Sequence, residues 1–194
     1  MTVLNPVVNS EYCCVSLFLD VHHLLSHFFP TRTYSFKLIQ SMNSSIVSII
    51  LPDWTCNDID YQIFDFSRFI RVISIEIGND CFGSVQTFKI DGLNRLKSIK
   101  IGNNSFTQNK NSYGNDPSKS FHILNCESLK SIEIGEYSFN DYGGEFELKN
   151  LSQLQSIQMG SYNFYNNSFV IRGIDMILNI VMNRSSKSSI HYIG

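Results

Sequence analysis

The chain has 194 residues, a formal net charge of −2, 16% charged residues and 43% apolar residues. It contains no alanine, against 27 serines, 23 isoleucines and 19 asparagines, and because alanine is the best helix former a helical bundle is not expected. The near-neutral charge excludes a generally basic nucleic-acid binder, and the content of isoleucine and phenylalanine excludes a disordered chain, so we expect a real hydrophobic core.

The first predicted element is an N-terminal helical or capping segment over residues 1–45. Its most apolar stretch, residues 15–29, is shorter than the roughly 20 residues that a spanning helix needs, so no membrane span is predicted. Four apolar side chains recur there at helical spacing, which predicts a helix that ends at Pro30; they are Leu17, Val21, Leu24 and Phe28. His23 and His27 lie four residues apart, but no third ligand has suitable spacing, and we interpret them as part of an exposed helix face without a metal.

From residue 46 to 182 the chain repeats one pattern at intervals of about 24 residues. The sharper half of the pattern reads Ser-Ile-x-apolar-Gly, with an aromatic residue four positions after the Gly, as in residues 98–106. Its alternation places two apolar side chains on one side of a short strand and the other three positions on the opposite side. Because the copies recur in one chain direction, we predict a parallel sheet with one strand per coil. Its strands are centred on Ile49, Ile75, Ile99, Ile132 and Ile157, with Ile180 as a further candidate.

The other half of the pattern is a Phe followed by apolar residues two, five and eight positions later. The leading residues of its five copies are Phe64, Phe88, Phe121, Phe146 and Phe169. The start of each copy alternates as well, which predicts a second short strand on the opposite side of the coil. The apolar side chains of both halves then share one core, and the fold class is a β-rich solenoid.

One segment of the repeat resembles the signature of a known family. The residues Leu96-x-x-Ile99-x-Ile101-x-x-Asn104-x-Phe106 resemble the leucine-rich-repeat signature, Leu-x-x-Leu-x-Leu-x-x-Asn-x-Leu. The resemblance covers residues 46–182 and implies a leucine-rich-repeat solenoid. Its isoleucine- and phenylalanine-rich form is similar to the divergent repeat arrays of protist and bacterial surface-antigen-like proteins.

The position of the family's asparagine departs from that signature. In the family this asparagine bonds to backbone groups of the turn, and the resemblance implies that role for Asn104 and in part for Asp80. The equivalent residues elsewhere in this chain are Trp54, Tyr137 and Tyr162. We therefore expect an aromatic ladder to provide the packing at the turns, made of Phe82, Phe106, Phe139 and Phe164.

Two places break the rhythm of the repeat. Residues 107–120 exceed the usual length by about nine residues and are rich in Asn, Gly, Pro and Ser, which predicts a protruding surface loop. This loop is either a tolerated insertion or a recognition element that uses Lys110, Tyr113 and Lys119. Residues 183–194 do not complete a coil or supply a polar cap, so we expect a longer solenoid or a partner there.

The outward positions of the main strands define a second candidate binding surface. Glu76, Lys100, Glu133 and Gln158 occupy equivalent positions in successive copies, and neighbouring strands lie about 4.8 Å apart, so Lys100 is expected to lie between two carboxylates. A solvated face with cross-strand charge pairs is the alternative interpretation.

No catalytic set of residues is indicated, so we expect neither an enzyme, nor a cofactor, nor a metal site. The sequence favours a non-catalytic leucine-rich-repeat module for protein–protein interaction, with a protein partner and no nucleic acid. The alternative is a structural or cell-surface repeat array, or a fragment of a longer protein.

Signals for a cellular compartment are sparse. The first ten residues lack a basic stretch before an apolar core, so no signal peptide is predicted. The five cysteines have no spacing typical of a disulfide framework, which favours a reducing, cytoplasmic location. The cell surface is the alternative, although a chain rich in Asn and Ser forms N-glycosylation triplets by chance. These triplets begin at Asn43, Asn103, Asn150, Asn166 and Asn183.

Overall fold

The structure is a computed structural model that describes residues 16–19, 46–57, 59–108, 116–165, 168–172, 179–182 and 189–193. These residues form thirteen short strands and no helix. In chain order the strands are β1 (Ser16–Leu19), β2 (Ile46–Leu51), β3 (Ile63–Asp65), β4 (Ser74–Ile77), β5 (Thr87–Asp91), β6 (Ser98–Ile101), β7 (Ser120–Leu124), β8 (Ser131–Ile134), β9 (Phe146–Lys149), β10 (Ser156–Met159), β11 (Ser168–Arg172), β12 (Asn179–Met182) and β13 (Ser189–Ile193).

A seven-stranded sheet carries the Ser-Ile-x-apolar copies in the order β1-β2-β4-β6-β8-β10-β12. The strands from β2 onward pair in parallel, and equivalent residues face each other, as Ile75 faces Ile99 and Ile99 faces Ile132. This confirms the predicted parallel sheet, including Ile180, which pairs with Ile157. The alternation of buried and exposed residues within β4, β6, β8 and β10 explains the register, because a slip of one residue would turn the isoleucines out to water.

The five predicted second strands, together with β13, which was not predicted, form a six-stranded parallel sheet in the order β13-β11-β9-β7-β5-β3. The described residues of the two sheets make a parallel β-solenoid, with one strand of each sheet per repeat and one core between them. Two stacks of phenylalanine rings run through that core along the solenoid axis. The first stack is Phe82, Phe106, Phe139 and Phe164, and the second is Phe64, Phe88, Phe121 and Phe146.

Within each stack the neighbouring rings are nearly parallel, with centroids 4.6–5.0 Å apart. Between the stacks the rings meet edge to face, as Phe88 meets Phe106 at 5.2 Å and 89°. Both geometries suit the electrostatics of aromatic rings. The expected aromatic ladder is therefore confirmed, and a second one accompanies it.

Side-chain ladders at the turns differ from the family's arrangement. The residues at the signature's Asn position have left-handed backbones, with φ between 53° and 63° from Trp54 to Tyr162. The bridging side chains belong to the residue before it: Asn79 accepts from the Asn103 backbone N–H, and Asn103 accepts from that of Glu136, each at 2.7 Å. An inner row lies one position after it, where Ser105 accepts from the Cys81 N–H at 3.1 Å. The hydrogen-bonding role implied for position 104 thus falls on its two neighbours.

The repeated glycines lie where successive turns touch. A methyl group added to Gly102 would come within 2.6 Å of the Gly78 carbonyl carbon and 2.7 Å of the Asn79 nitrogen. Gly135 stands in the same relation to Gly102. These glycines allow the coils to approach closely. From the sequence alone, the only role inferred for them is turn formation.

The N-terminal helix prediction is not met where the chain is described. Ser16–Leu19 form β1, which pairs antiparallel with β2 at the edge of the seven-stranded sheet. The rest of residues 1–45 lies outside the described residues, as does residue 194.

Cys56 is disulfide-bonded, which the cysteine spacing did not predict, and its partner lies outside the described residues. Cys81 and Cys126 are free and buried.

Candidate interaction surface

The outer face of the seven-stranded sheet brings together the four strand residues proposed from the sequence. Glu76, Lys100, Glu133 and Gln158 are cross-strand neighbours in one row across β4, β6, β8 and β10. All four are exposed. The row continues to Ile50 on β2 and to Val181 on β12, whose side chain is 52% exposed.

Serines form a second row on the same face, at the start of β4, β6, β8 and β10 and within β2. Ser48, Ser74, Ser98, Ser131 and Ser156 face one another in register. The hydroxyl groups of Ser48 and Ser74 are hydrogen-bonded at 2.8 Å. Because serines are small, the longer side chains of the first row stand above them, and a shallow depression of about 290 Å³ lies over the face from Ser48 to Glu133.

Of the two glutamates beside Lys100 in this row, only one forms an ion pair with it. The Lys100 ammonium lies 3.7 Å from the nearer Glu76 carboxylate oxygen, an exposed ion pair that contributes little to stability. Lys100 is also the direct neighbour of Glu133, yet it pairs with Glu76. Among the described residues, no cation lies within ion-pair distance of Glu133, which leaves one exposed carboxylate in the middle of the face.

Aromatic side chains that the sequence did not assign to a site lie at the turns that follow β8 and β10. The rings of Tyr137 and Tyr162 stack at 4.5 Å, and Tyr165 continues the stack at 6.2 Å. All three are half-buried. Trp54, at the equivalent turn after β2, is 73% exposed. For Trp54, Tyr137 and Tyr162, the signal that could have revealed them is the replacement of the signature's Asn by an aromatic residue.

Of the three loop residues proposed as a recognition element, only Lys119 is among the described residues. Lys110 and Tyr113 lie outside the described residues. Lys119 is 2% exposed, and its ammonium is 2.7 Å from an Asp141 carboxylate oxygen and 5.4 Å from the Tyr142 ring centroid. It therefore anchors the end of the insertion in the core, and it is not available to a partner.

The insertion is fastened at its other end as well. Thr107 is buried, and its hydroxyl donates to the Tyr137 carbonyl and accepts from the Asn140 N–H. The Gln108 N–H donates to Asp141. Any protrusion is therefore confined to a shorter stretch than residues 107–120.

Burial determines the protonation of the free thiols and of one tyrosine. It raises the pKa of Cys81, and it raises the pKa of Cys126 to about 11. Both thiols are therefore protonated at neutral pH and make poor nucleophiles. Burial, reinforced by the charges of Asp141 and Asp116, raises the pKa of Tyr142 well above its ordinary value. On the surface, hydrogen bonds from Asn79 lower the pKa of Asp53.

Residue types that hold metals meet on the opposite sheet, at His122, Glu145 and Glu147.

In the part of the chain that the structure describes, no helix is long and apolar enough to cross a membrane. Comparisons with protein-family models, with curated proteins and with solved structures find no match for this chain.

Proposed function

We propose that this chain is a non-catalytic interaction module that binds a protein partner through the outer face of its seven-stranded sheet. The observation that carries the proposal is the register-aligned row of Glu76, Lys100, Glu133 and Gln158. A rigid parallel sheet holds these side chains at fixed spacing, so little order has to be created on binding. We further propose that the repeat is a divergent leucine-rich repeat, supported by the match of residues 96–106 to that signature.

The charge pattern suggests the chemistry of the partner. Lys100 forms an ion pair with Glu76, so the exposed carboxylate of Glu133 is available to a partner protein. A partner that carries an Arg or Lys opposite Glu133 would complete the row and gain a charge-assisted hydrogen bond. The tyrosine stack after β8 and β10 supplies the aromatic anchors that the strand face itself lacks.

A photo-crosslinking experiment tests the location of the surface. A photoreactive amino acid is placed at position 100 in one variant and at position 149 in the other, an exposed lysine on the opposite sheet. We expect position 100 to trap one defined protein partner in the source cells and position 149 not to trap it. Equal trapping from both positions would reject the assignment of this face.

Charge reversal then tests the chemistry with the purified partner. We expect Glu133→Arg to weaken binding at least tenfold, which corresponds to about 1.4 kcal/mol. Lys149→Glu, the matched reversal on the other sheet, is expected to leave the affinity unchanged. Unchanged binding by Glu133→Arg would place the recognition elsewhere on the molecule.

The second candidate function is a structural or cell-surface repeat array. It is favoured by the in-register repetition of similar strands, since a further copy could continue both sheets without a change of spacing. In that case the crosslinked product is a second copy of this chain, and light scattering shows mass that increases with protein concentration. A monodisperse monomer at high concentration would exclude the array.

A further inference from the structure

We propose that the outer face of the six-stranded sheet binds a divalent transition metal of the zinc class through His122, Glu145 and Glu147. This site lies on the sheet opposite to the proposed protein-binding face. It does not depend on that function, and it was not indicated by any sequence spacing.

Two adjacent strands bring the three side chains together. His122 on β7 pairs in register with Glu147 on β9. Glu145 precedes Glu147 by two residues, so both glutamates lie on the same side of the chain. The residues between and beside them, Phe121 and Phe146, are buried and point into the core. One donor atom from each of the three side chains lies within 4.8 Å of the others.

The three side chains have no bonding partner within the described part of the chain. Among the described residues, no hydrogen bond or ion pair ends on the side chain of His122, Glu145 or Glu147. The nearest cation along the row is Lys89, which faces His122 from β5, but its ammonium lies 3.6 Å from Asp91. Two carboxylates of like charge and an imidazole thus share one surface, and among the described residues no cation lies within ion-pair distance of them, although Lys149 follows on the same side of β9. A bound metal ion would relieve the repulsion between the two carboxylates.

The donor set selects the kind of metal. One imidazole nitrogen with carboxylate oxygens suits zinc, which binds both at about 2.0–2.2 Å and completes its shell with water. Calcium and magnesium prefer sites made of oxygen alone. Tetrahedral ligands at such distances are about 3.4 Å apart, so the donors need to approach by little more than 1 Å. Rotation of the flexible glutamate side chains provides that movement, while His122 and the strands stay in place.

A metal at this position would join two coils at the point where the repeat is irregular. β7 follows the long insertion, and β9 follows the turn in which Asp141 anchors that insertion. Binding at residues 122 and 147 would therefore reinforce the contact between those coils in the folded state. Since the unfolded chain does not hold the three donors together, the metal should stabilise the fold.

Titration calorimetry of the full chain with zinc chloride tests the site. We expect His122→Asn and Glu147→Gln each to remove one equivalent of bound zinc or to weaken it by about 10–100-fold. Glu127→Gln, at an exposed glutamate outside both proposed binding surfaces, is the matched control and should bind zinc as the wild type does. Magnesium at millimolar concentration should not compete. Histidines and cysteines elsewhere in the chain are present in every variant, so the difference in stoichiometry reports on this site.

Melting curves give a second measurement that separates binding from folding. Without zinc, Glu147→Gln should melt at or above the wild-type temperature, because the substitution removes a like-charge contact. With zinc at ten times its Kd, the wild type should gain a few degrees and His122→Asn should not. The proposal is overturned if zinc leaves the wild-type Tm unchanged, or if both variants bind zinc with wild-type stoichiometry and affinity.

Discussion

At the residue scale, neighbouring positions in one strand have opposite roles. Ile99 is 1% exposed, whereas the Lys100 side chain is 61% exposed. We expect Ile99→Asp to lower the free energy of unfolding by about 3–5 kcal/mol or to prevent folding, since it buries a charge without a partner. Lys100→Ala removes an exposed ion pair and should change it by less than about 1 kcal/mol. Equal midpoints for the two variants in urea would contradict the inward and outward assignment.

The glycines that follow the main strands offer a second test at this scale. Gly102→Ala places a methyl group against the backbone of the preceding coil, so we expect a loss of about 1–3 kcal/mol in thermal or urea unfolding. Gly83→Ala is the matched control, because its nearest contact would be an ordinary 3.5 Å and the change should stay within about 0.5 kcal/mol. A Gly102→Ala protein as stable as the control would mean that the coils are less closely apposed.

At the scale of elements, a buried ion pair fastens the long insertion to the next coil. Lys119 and Asp141 are 2% and 3% exposed, and their charged atoms are 2.7 Å apart. We expect Lys119→Met to cost about 3–5 kcal/mol, since the Asp141 carboxylate would remain buried without its ammonium group. Urea unfolding measures the loss. Lys89→Met removes a surface pair with Asp91 and should cost less than about 1 kcal/mol.

A double-mutant cycle separates the pair from packing effects. The combined Lys119→Met and Asp141→Asn protein should be more stable than the sum of the two single losses implies, because no uncompensated charge is left in the core. Strictly additive losses would show that the two residues act independently, and that the insertion is held by its backbone hydrogen bonds alone.

At the scale of the whole molecule, stability should vary along the solenoid axis. Strands β6 and β8 are paired on both sides and covered by both phenylalanine stacks, whereas β12 pairs with β10 alone among the described strands. In a solenoid each coil contacts mainly its neighbours, so the ends open at lower free energy than the middle. We expect native-state hydrogen exchange to be slowest in β6 and β8 and fastest in β12. Uniform protection of all strands would indicate that the solenoid unfolds as one unit.

Much of the fold was accessible from the sequence because the information is local and repeated. Alternation within Ser-Ile-x-apolar-Gly assigns a buried and an exposed side to each strand, as Ile132 and Glu133 illustrate. The recurrence of that pattern in one chain direction determines parallel pairing, and the buried side determines the register. The same logic placed Glu76, Lys100, Glu133 and Gln158 in one row, since each is the equivalent residue of its coil.

The remaining features depend on which residues of different coils come to face each other, and only the tertiary structure decided them. Asp141 lies 22 residues from Lys119, and its burial beside that lysine follows from the way in which two irregular turns fit together. His122 meets Glu145 and Glu147 because β7 and β9 are neighbours in the second sheet. No local pattern carries this information, because insertions of different length alter the spacing along the chain while the hydrogen-bonded sheets keep the spacing between coils constant.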